Sequence, residues 1–442
     1  MHYLWLSVLL VLSAALLVGQ AVPLRVPSPG GDMVVKHKWD VIPDDWVSLG
    51  PPPDNSTIEL HIALQPNQKD ALIDVLYEVS QPGHPRQVFF TTPLLEAYSR
   101  VPLLRFRYGA HLSREELAEL VAPHPDTLEL VSSWLEHNGV SPSSVSTTHG
   151  GGWLTVTDVP VAQANVLLGA TYELYYHAGR NDTILRTVGY SLPVVLHTHV
   201  QTIVPTTAFT STRLLQETLR PRSDEAAAPK VASGEPVNTP SRRQARRIEI
   251  SELRSMYGTA DYVPPAVANS RLGIMGHDDE YPGLNDQTKF MSFYRADARG
   301  QTVSFETINK NTPEGYRSHR ANLFTQYAAA LAYPIPVTFY RGTGKGLLPY
   351  SRNKPGPGDA LEQWLKWALD ENRSNPHTIG LIMEGTRESY LPREYAVAMC
   401  GLFSDLGVLG VTVLVASGDN GVGQDNVQKF YVNFPASCKC AF

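Results

Sequence analysis

The chain has 442 residues, of which 43% are hydrophobic, and a formal net charge of −6 at pH 7. That length accommodates two or three domains with real cores, and the negative balance argues against nucleic acid as a partner. His2 is followed by the apolar run Tyr3–Val18 and then by the small residues Gly19-Gln20-Ala21. Residues 1–21 read as a secretory signal peptide with a weak charged start. A membrane helix is the alternative, but the run is short for spanning and no second span follows. Sequons at Asn55, Asn181 and Asn372 fit a secreted glycoprotein.

Residues 22–220 read as α+β. Thr57–Leu64 alternates Ile58, Leu60, Ile62 and Leu64 against mostly polar positions, the pattern of a half-buried strand. Gln68–Ser80 places Leu72, Val75, Leu76 and Val79 at helical spacing. Ser113 with Glu116 three residues on is a capping box that starts a second helix. Pro125–Asn138, carrying Trp134, predicts a third. Trp153–Thr157, Glu173–Tyr176 and Thr183–Val188 read as strands, and Val161–Leu168 as a helix. Strands with two main helices on one face predict a ferredoxin-like α+β domain.

Residues 221–247 are rich in Pro, Ser, Ala and charge and have no apolar period, so they read as a linker. Its end carries Arg242-Arg243 and Arg246-Arg247. Paired arginines in exposed, extended backbone are natural processing sites, and cleavage is expected at Arg246 and Arg247. A merely basic linker is the alternative.

Residues 248–442 read as α/β with a mostly parallel sheet. Strands are expected at Arg271–Met275, Val303–Ile308, Pro336–Tyr340, Thr378–Met383 and Val411–Ala416. Helices are expected over Ala321–Ala332, after Asp359 with Leu361, Trp364, Leu365, Ala368 and Leu369 on one stripe, and over Arg393–Leu406, closed by Gly407. Strand and helix alternate throughout, as a parallel sheet requires.

The last strand feeds Ser417-Gly418-Asp419-Asn420-Gly421. In such sheets catalytic groups gather beyond the carboxyl ends of the strands. A carboxylic acid held there in low dielectric can stay protonated and donate a hydrogen bond to a developing oxyanion. The alternative is an ordinary strand-to-loop turn. Ser417 is expected to be a structural turn residue. Glu306, Glu314, Glu384 and Glu388 sit near predicted strand ends, but no spacing singles one out. The only cysteines are Cys400, Cys438 and Cys440, so a free thiol or a missing partner is expected. No His or Cys cluster accompanies Cys438-Lys439-Cys440, and metal is not expected there.

In shared order, several stretches resemble the sedolisins, secreted serine-carboxyl peptidases with a subtilisin-like fold, and the fungal tripeptidyl peptidases in particular. Before the linker they include Trp46, His84-Pro85, Tyr108–Ser113, Trp134-Leu135 and Tyr190–Pro193. After it they include Leu253–Thr259, Asn269–Ile274, Ala321-Asn322-Leu323, Gln326-Tyr327, Tyr333-Pro334, Gly410-Val411 and Ser417–Gly423. The resemblance implies an activation prodomain over 22–220, which would contact the rest of the chain, and the N-terminal part of a peptidase domain over 248–442. It implies peptide or protein substrates, and Asp419 in the oxyanion position.

The family's acid pair lies in a helix reading Glu-Ala-Asn-Leu-Asp-x-Gln-Tyr; here the stretch reads Arg320-Ala321-Asn322-Leu323-Phe324-Thr325-Gln326-Tyr327. Arg320 replaces the glutamate base and Phe324 the second acid. Neither can accept a proton. The family's nucleophile lies in a Gly-Thr-Ser motif, and no Gly-Thr-Ser occurs in this sequence. Its calcium loop lies near the C-terminus of the catalytic domain, in a part without counterpart here. The prodomain pattern His84-Pro85-Arg86 joined to Tyr108-Gly109 is interrupted by residues 87–107, which read as an atypical insertion, either a retained intron or a surface loop.

These readings imply a secreted zymogen whose peptidase half is truncated, degenerate and inactive. Two alternatives stand beside it: an active acid tripeptidyl peptidase with an incomplete sequence, and a non-enzymatic prodomain-type binder or inhibitor of an intact relative.

Overall fold

The computed structural model describes residues 32–68, 70–81, 108–148, 150–177, 182–209, 248–265, 270–276, 280–308, 316–341, 360–370, 373–382, 386–417, 430 and 432–440. The signal segment, the 87–107 stretch, the linker with Arg246 and Arg247, Asn181, Asn372 and Asp419 lie outside the described residues.

The N-terminal unit opens with β1 (Met33–Lys38), β2 (Trp46–Gly50) and β3 (Thr57–Leu64), followed by helices α1 (Ala71–Ser80), α2 (Arg114–Val121) and α3 (Pro125–His137). Then come β4 (Val145–Thr148), β5 (Trp153–Pro160), α4 (Val161–Leu168), β6 (Tyr172–His177), β7 (Asp182–Thr187), β8 (Gly189–Pro193) and β9 (Val200–Val204). Local chemistry sets the helix ends. The Ser113 hydroxyl accepts the Glu116 N–H at 3.1 Å while Glu116 accepts the Ser113 N–H at 2.8 Å, so both partners of the expected capping box are in place. Pro125 occupies the first turn of α3, where a missing N–H costs nothing.

The central sheet has the order β4-β5-β3-β9, with every pair antiparallel. One face packs on α3 and α4, through Ile58, Leu60, Ile62, Leu130, Trp134, Ala164 and Leu167. A second sheet, β2-β6-β7, was not foreseen; it packs Trp46, Tyr175 and Ile184 against Phe209.

β3 departs from the half-buried expectation. Its burial runs unbroken from Leu60 to Leu64, so His61 and Ala63, on the face away from α3 and α4, are buried too. The cause is non-local, because the opposite face of this sheet is covered by the C-terminal unit.

The C-terminal unit comprises α5 (Ile250–Met256), β10 (Leu272–Met275), β11 (Glu280–Tyr281), α6 (Leu284–Tyr294), β12 (Ser304–Thr307), β13 (Tyr316–Arg317), α7 (His319–Ala332) and β14 (Val337–Arg341). After these come α8 (Ala360–Ala368), β15 (Thr378–Leu381), β16 (Thr386–Arg387), α9 (Arg393–Val408), β17 (Thr412–Val415) and β18 (Asn433–Phe434). Five strands form one sheet, β12-β14-β10-β15-β17, and all its pairs are parallel, as the alternation of strands and helices predicts.

Among the described residues its two faces are covered unequally. On one, Met275, Tyr340, Ile379, Leu381, Val413 and Val415 join α8, α9 and the N-terminal unit's Ala63, Leu76, Leu117, Trp153 and Val204 in a single core. On the other, α5, α6 and α7 cover Ile274, Val337 and Phe339. Leu414, on the edge strand β17, is left 44% exposed.

Gly407 does not close α9 as expected. The helix runs on to Val408, and Gly410, at φ 85°, makes the left-handed turn that a helix end favours. Gly407 serves close approach instead, since a Cβ there would meet Leu76 Cδ1 at 2.6 Å.

Candidate functional site

The carboxyl ends of the parallel strands are where such sheets place their chemistry. α7 precedes β14 and starts at that end, beside β11, which follows β10. Its first turn is fixed by polar side chains. Ser318 Oγ accepts the N–H groups of Arg320 at 3.1 Å and Ala321 at 3.2 Å, a side-chain cap. Asn322 Oδ1 accepts the Gly283 N–H at 2.7 Å, and Asn322 Nδ2 donates to Asp286 Oδ2 at 3.1 Å. Asn322 thereby ties α7 to the start of α6.

Ala321, Thr325 and Ala329 form the buried stripe of α7. Arg320 and Phe324 stand one turn apart beside it. Arg320 is half-buried and Phe324 is 38% exposed. The helical spacing expected of the acid pair is therefore present, but a guanidinium and a phenyl ring occupy it. A guanidinium stays protonated and has no acceptor lone pair.

Ser417 is exposed just past β17, and its carbonyl accepts from Asn433 Nδ2 at 2.6 Å. Of the four glutamates named, Glu306 on β12 pairs with Arg373, and Glu388 is exposed in a short turn after β16. Glu314 and Glu384 lie outside the described residues, as does Asp419. No described side chain joins Ser417 to a base within hydrogen-bond reach, which nucleophilic catalysis would need.

The cysteines resolve into a Cys400–Cys438 disulfide and a buried free thiol at Cys440. The Cys440 Sγ is 3.2 Å from Ser404 Oγ, and burial raises its pKa. Such a thiol is poorly suited to nucleophilic work. Among the described residues no group of three or more His, Cys, Asp or Glu could hold a metal ion. Among them, too, no helix is long and apolar enough to cross a membrane.

What sequence reasoning missed lies between the two units. His61 Nδ1 on β3 is 2.7 Å from Glu362 Oε2 on α8, and His61 Nε2 is 2.6 Å from Glu59 Oε1. Lys366, one turn along α8, is 3.1 Å from Glu362 Oε1 and donates to Thr155 Oγ1 on β5 at 3.1 Å. Nearby, Arg114 on α2 donates to the carbonyls of Leu369 at 2.9 Å and Arg373 at 2.8 Å. Leu112 N–H donates to the Val408 carbonyl at 2.9 Å. The available signal was slight: a glutamate next to the apolar stripe of α8, and a histidine at a polar position of an alternating strand.

Comparison with known proteins agrees with the resemblance. A family model described as Pro-kumamolisin, activation domain, matches residues 44–94 and 105–209. The probable tripeptidyl-peptidase SED2 of Trichophyton verrucosum is 29% identical over 432 residues, covering 93% of this chain and 67% of the relative. The tripeptidyl-peptidase SED2 of Arthroderma otae is 29% identical over 449 residues, covering 97% of this chain and 70% of that protein. A solved Pseudomonas sedolisin, a serine-carboxyl proteinase complexed with pseudo-iodotyrostatin, aligns at 19% identity and a TM-score of 0.33 over 45% of this chain and 53% of its own, a likeness too slight to carry an argument. Motif order, the activation-domain match and the two tripeptidyl-peptidase relatives lead to one conclusion: the chain is related to the sedolisin family of serine-carboxyl peptidases.

Proposed function

We propose that this protein is a secreted, zymogen-type relative of the tripeptidyl peptidases that does not itself hydrolyse peptides. In this reading the N-terminal unit is an activation domain of ferredoxin-like topology. The strand order β4-β5-β3-β9, with α3 and α4 on one face, supports it. The C-terminal unit is a subtilisin-like peptidase domain, a reading supported by its five-stranded parallel sheet. Asp419, after β17, holds the oxyanion position, and the linker is cleaved near Arg246 and Arg247. Asn55, exposed in the turn before β3, is a natural site for a glycan.

The observation that carries the inactive reading is the pair Arg320 and Phe324 on α7. A serine hydroxyl is a weak nucleophile until an adjacent base takes its proton. The family puts a glutamate at position 320 and an aspartate at 324 for that purpose. With a fixed cation and a hydrocarbon there instead, an oxyanion donor has no tetrahedral intermediate to stabilise. Loss of one such residue costs several powers of ten in rate.

The test is turnover of a tripeptide-leaving substrate at acidic pH by purified secreted protein, before and after linker cleavage, with Asp419→Ala as control. No turnover in either sample is expected. Turnover abolished by Asp419→Ala would show a working site and sink the inactive reading. N-terminal sequencing of the mature material is expected to find a start near Ile248.

A further inference from the structure

The seam between the two units contains a group of charges with no part in peptide hydrolysis. His61 and Thr155 face each other across the β3–β5 pair, so both point to the sheet face that meets α8. The His61 side chain is 3% exposed and Glu362 is fully buried. Lys366 reaches over the same spot, its ammonium 5.6 Å from the centre of the Trp153 ring. Glu59, on β3 itself, closes the outer side of the imidazole. Each ring nitrogen of His61 thus faces a carboxylate, and each Glu362 oxygen faces a cation.

A surface strand of an isolated domain would not bury a histidine among charges. Burial of a charge is tolerated only where partners meet it. These partners come from both units, His61, Glu59 and Thr155 from one and Glu362 and Lys366 from the other. Separating the units would leave each half of the set to water.

We infer that the His61–Glu362–Lys366 cluster is the clasp that holds the N-terminal unit on α8, and that it makes their union tightest at mildly acidic pH and loosest at alkaline pH. This holds whether or not the chain hydrolyses peptides.

The direction follows from the charges around each group. Burial alone would push the His61 pKa down, but Glu362 and Glu59 outweigh burial and the opposing Lys366, and hold it up at about 9. Burial alone would push Glu362 up, but His61 and Lys366 prevail and hold it below the ordinary carboxylate range. A histidine with a raised pKa contributes stability that is complete below its free value of 6.5 and is lost as pH rises through about 9. A carboxylate with a lowered pKa contributes stability that is complete above its free value of 4.5 and is lost as pH falls through its lowered value. Both contributions are complete between 4.5 and 6.5. Elsewhere in the seam His111, lowered by burial and by His377, works in the other direction as pH falls. The clasp is therefore read against a variant that lacks it.

The experiment is amide hydrogen exchange of the full chain at pH 5.5 and pH 9.5, corrected for intrinsic rates and followed in residues 57–64 and 360–368. It compares wild type with His61→Gln/Glu362→Gln. In the wild type, protection of both segments is expected to fall about tenfold or more between the two pH values, as the shift in His61 implies. In the double variant that fall is expected to shrink to a few-fold. An equal fall in both proteins would overturn the inference. If the double variant does not fold, wild type alone decides: protection at pH 9.5 equal to that at pH 5.5 would overturn it. Glu59→Gln, at the exposed rim, is expected to fold and to reduce the fall part of the way.

Discussion

Helices α7 and α8 sit on opposite faces of the same parallel sheet and use charge in opposite ways. On α7, the helix that the family resemblance makes catalytic, the two acid positions hold Arg320, which is half-buried, and Phe324, which is 38% exposed. On α8, where no chemistry was expected, Glu362 is buried completely and meets His61 and Lys366. The carboxylate held in a low-dielectric setting is thus the one that joins the two units. A buried charge is costly unless fully partnered, so the care spent on Glu362 marks the seam as the part of this molecule under tight physical constraint. The half-exposed pair on α7 is under much less.

Substitution can break that contrast. The largest effect is expected from Trp364→Ala. Trp364 is 1% exposed, lies one turn from Leu361 and Ala368 on α8, and stacks tilted against Phe403 of α9 at 6.2 Å. Removing a buried indole costs about 3–5 kcal/mol. Urea unfolding of the full chain is expected to lose that much and to lose cooperativity between the units. A loss below about 1 kcal/mol, the range of unremarkable substitutions, would show that α8 is not central to the seam.

Gly410→Ala comes next. Gly410 has φ 85°, and a Cβ there would meet His111 Cδ2 at 2.6 Å and Cγ at 2.8 Å. The strained backbone alone costs about 1–3 kcal/mol, and the displaced imidazole belongs to the N-terminal unit. The expected readout is lower stability together with faster exchange at the Leu112 amide, which bonds to Val408. A change confined to α9, with Leu112 unaffected, would separate the turn from the seam.

Much of this architecture was legible in the chain. β3, α4 and the capping box at Ser113 followed from spacing and side-chain chemistry alone, because each is decided within about ten residues. The parallel sheet followed from alternation. The burial of His61 was not legible, since period-2 patterning shows which residues alternate but not whether a second layer covers the other face. Gly407 was misread for a related reason: a glycine in a helix normally signals an end, whereas here Leu76 of another unit takes up the space over it. At the candidate site, the sequence placed Arg320 and Phe324 one turn apart on a helix, and the structure has both on α7. Only the glutamate beside the α8 stripe and the histidine of β3 pointed to the well-partnered carboxylate elsewhere, because pairing across 301 residues leaves little local mark.

Substitution on α7 is expected to do less than either change on the α8 side. Phe324→Ala removes a ring that is 38% exposed, and Arg320 beside it is half-buried. An exposed helical position away from a core feature usually changes stability by about 0.5 kcal/mol or less, and a partly buried ring adds somewhat to that. Phe324→Ala is therefore expected to leave the urea midpoint within experimental reach of wild type. A loss as large as that of Trp364→Ala would mean that Phe324 belongs to the core and that α7 uses this position for packing.

The smallest change in stability is expected at the sheet's uncovered end. Leu414 on the edge strand β17 is 44% exposed, and Thr412 beside it is exposed as well. Exposed apolar residues on an unpaired edge invite association. Leu414→Lys leaves the inward-facing Val413 and Val415 untouched, so stability is expected to change by about 0.5 kcal/mol or less. Binding of a hydrophobic dye and light scattering at high concentration are expected to fall. The contrast between the sheet's faces predicts this split between stability and solubility, because α8 and α9 pack on one face while, among the described residues, α5, α6 and α7 on the other pack on Ile274 of β10, Val337 and Phe339 of β14 and Ile382 after β15, and leave Leu414 exposed. If Leu414→Lys destabilised the chain strongly while leaving dye binding unchanged, Leu414 would be a packed residue. The two faces would then be equally covered.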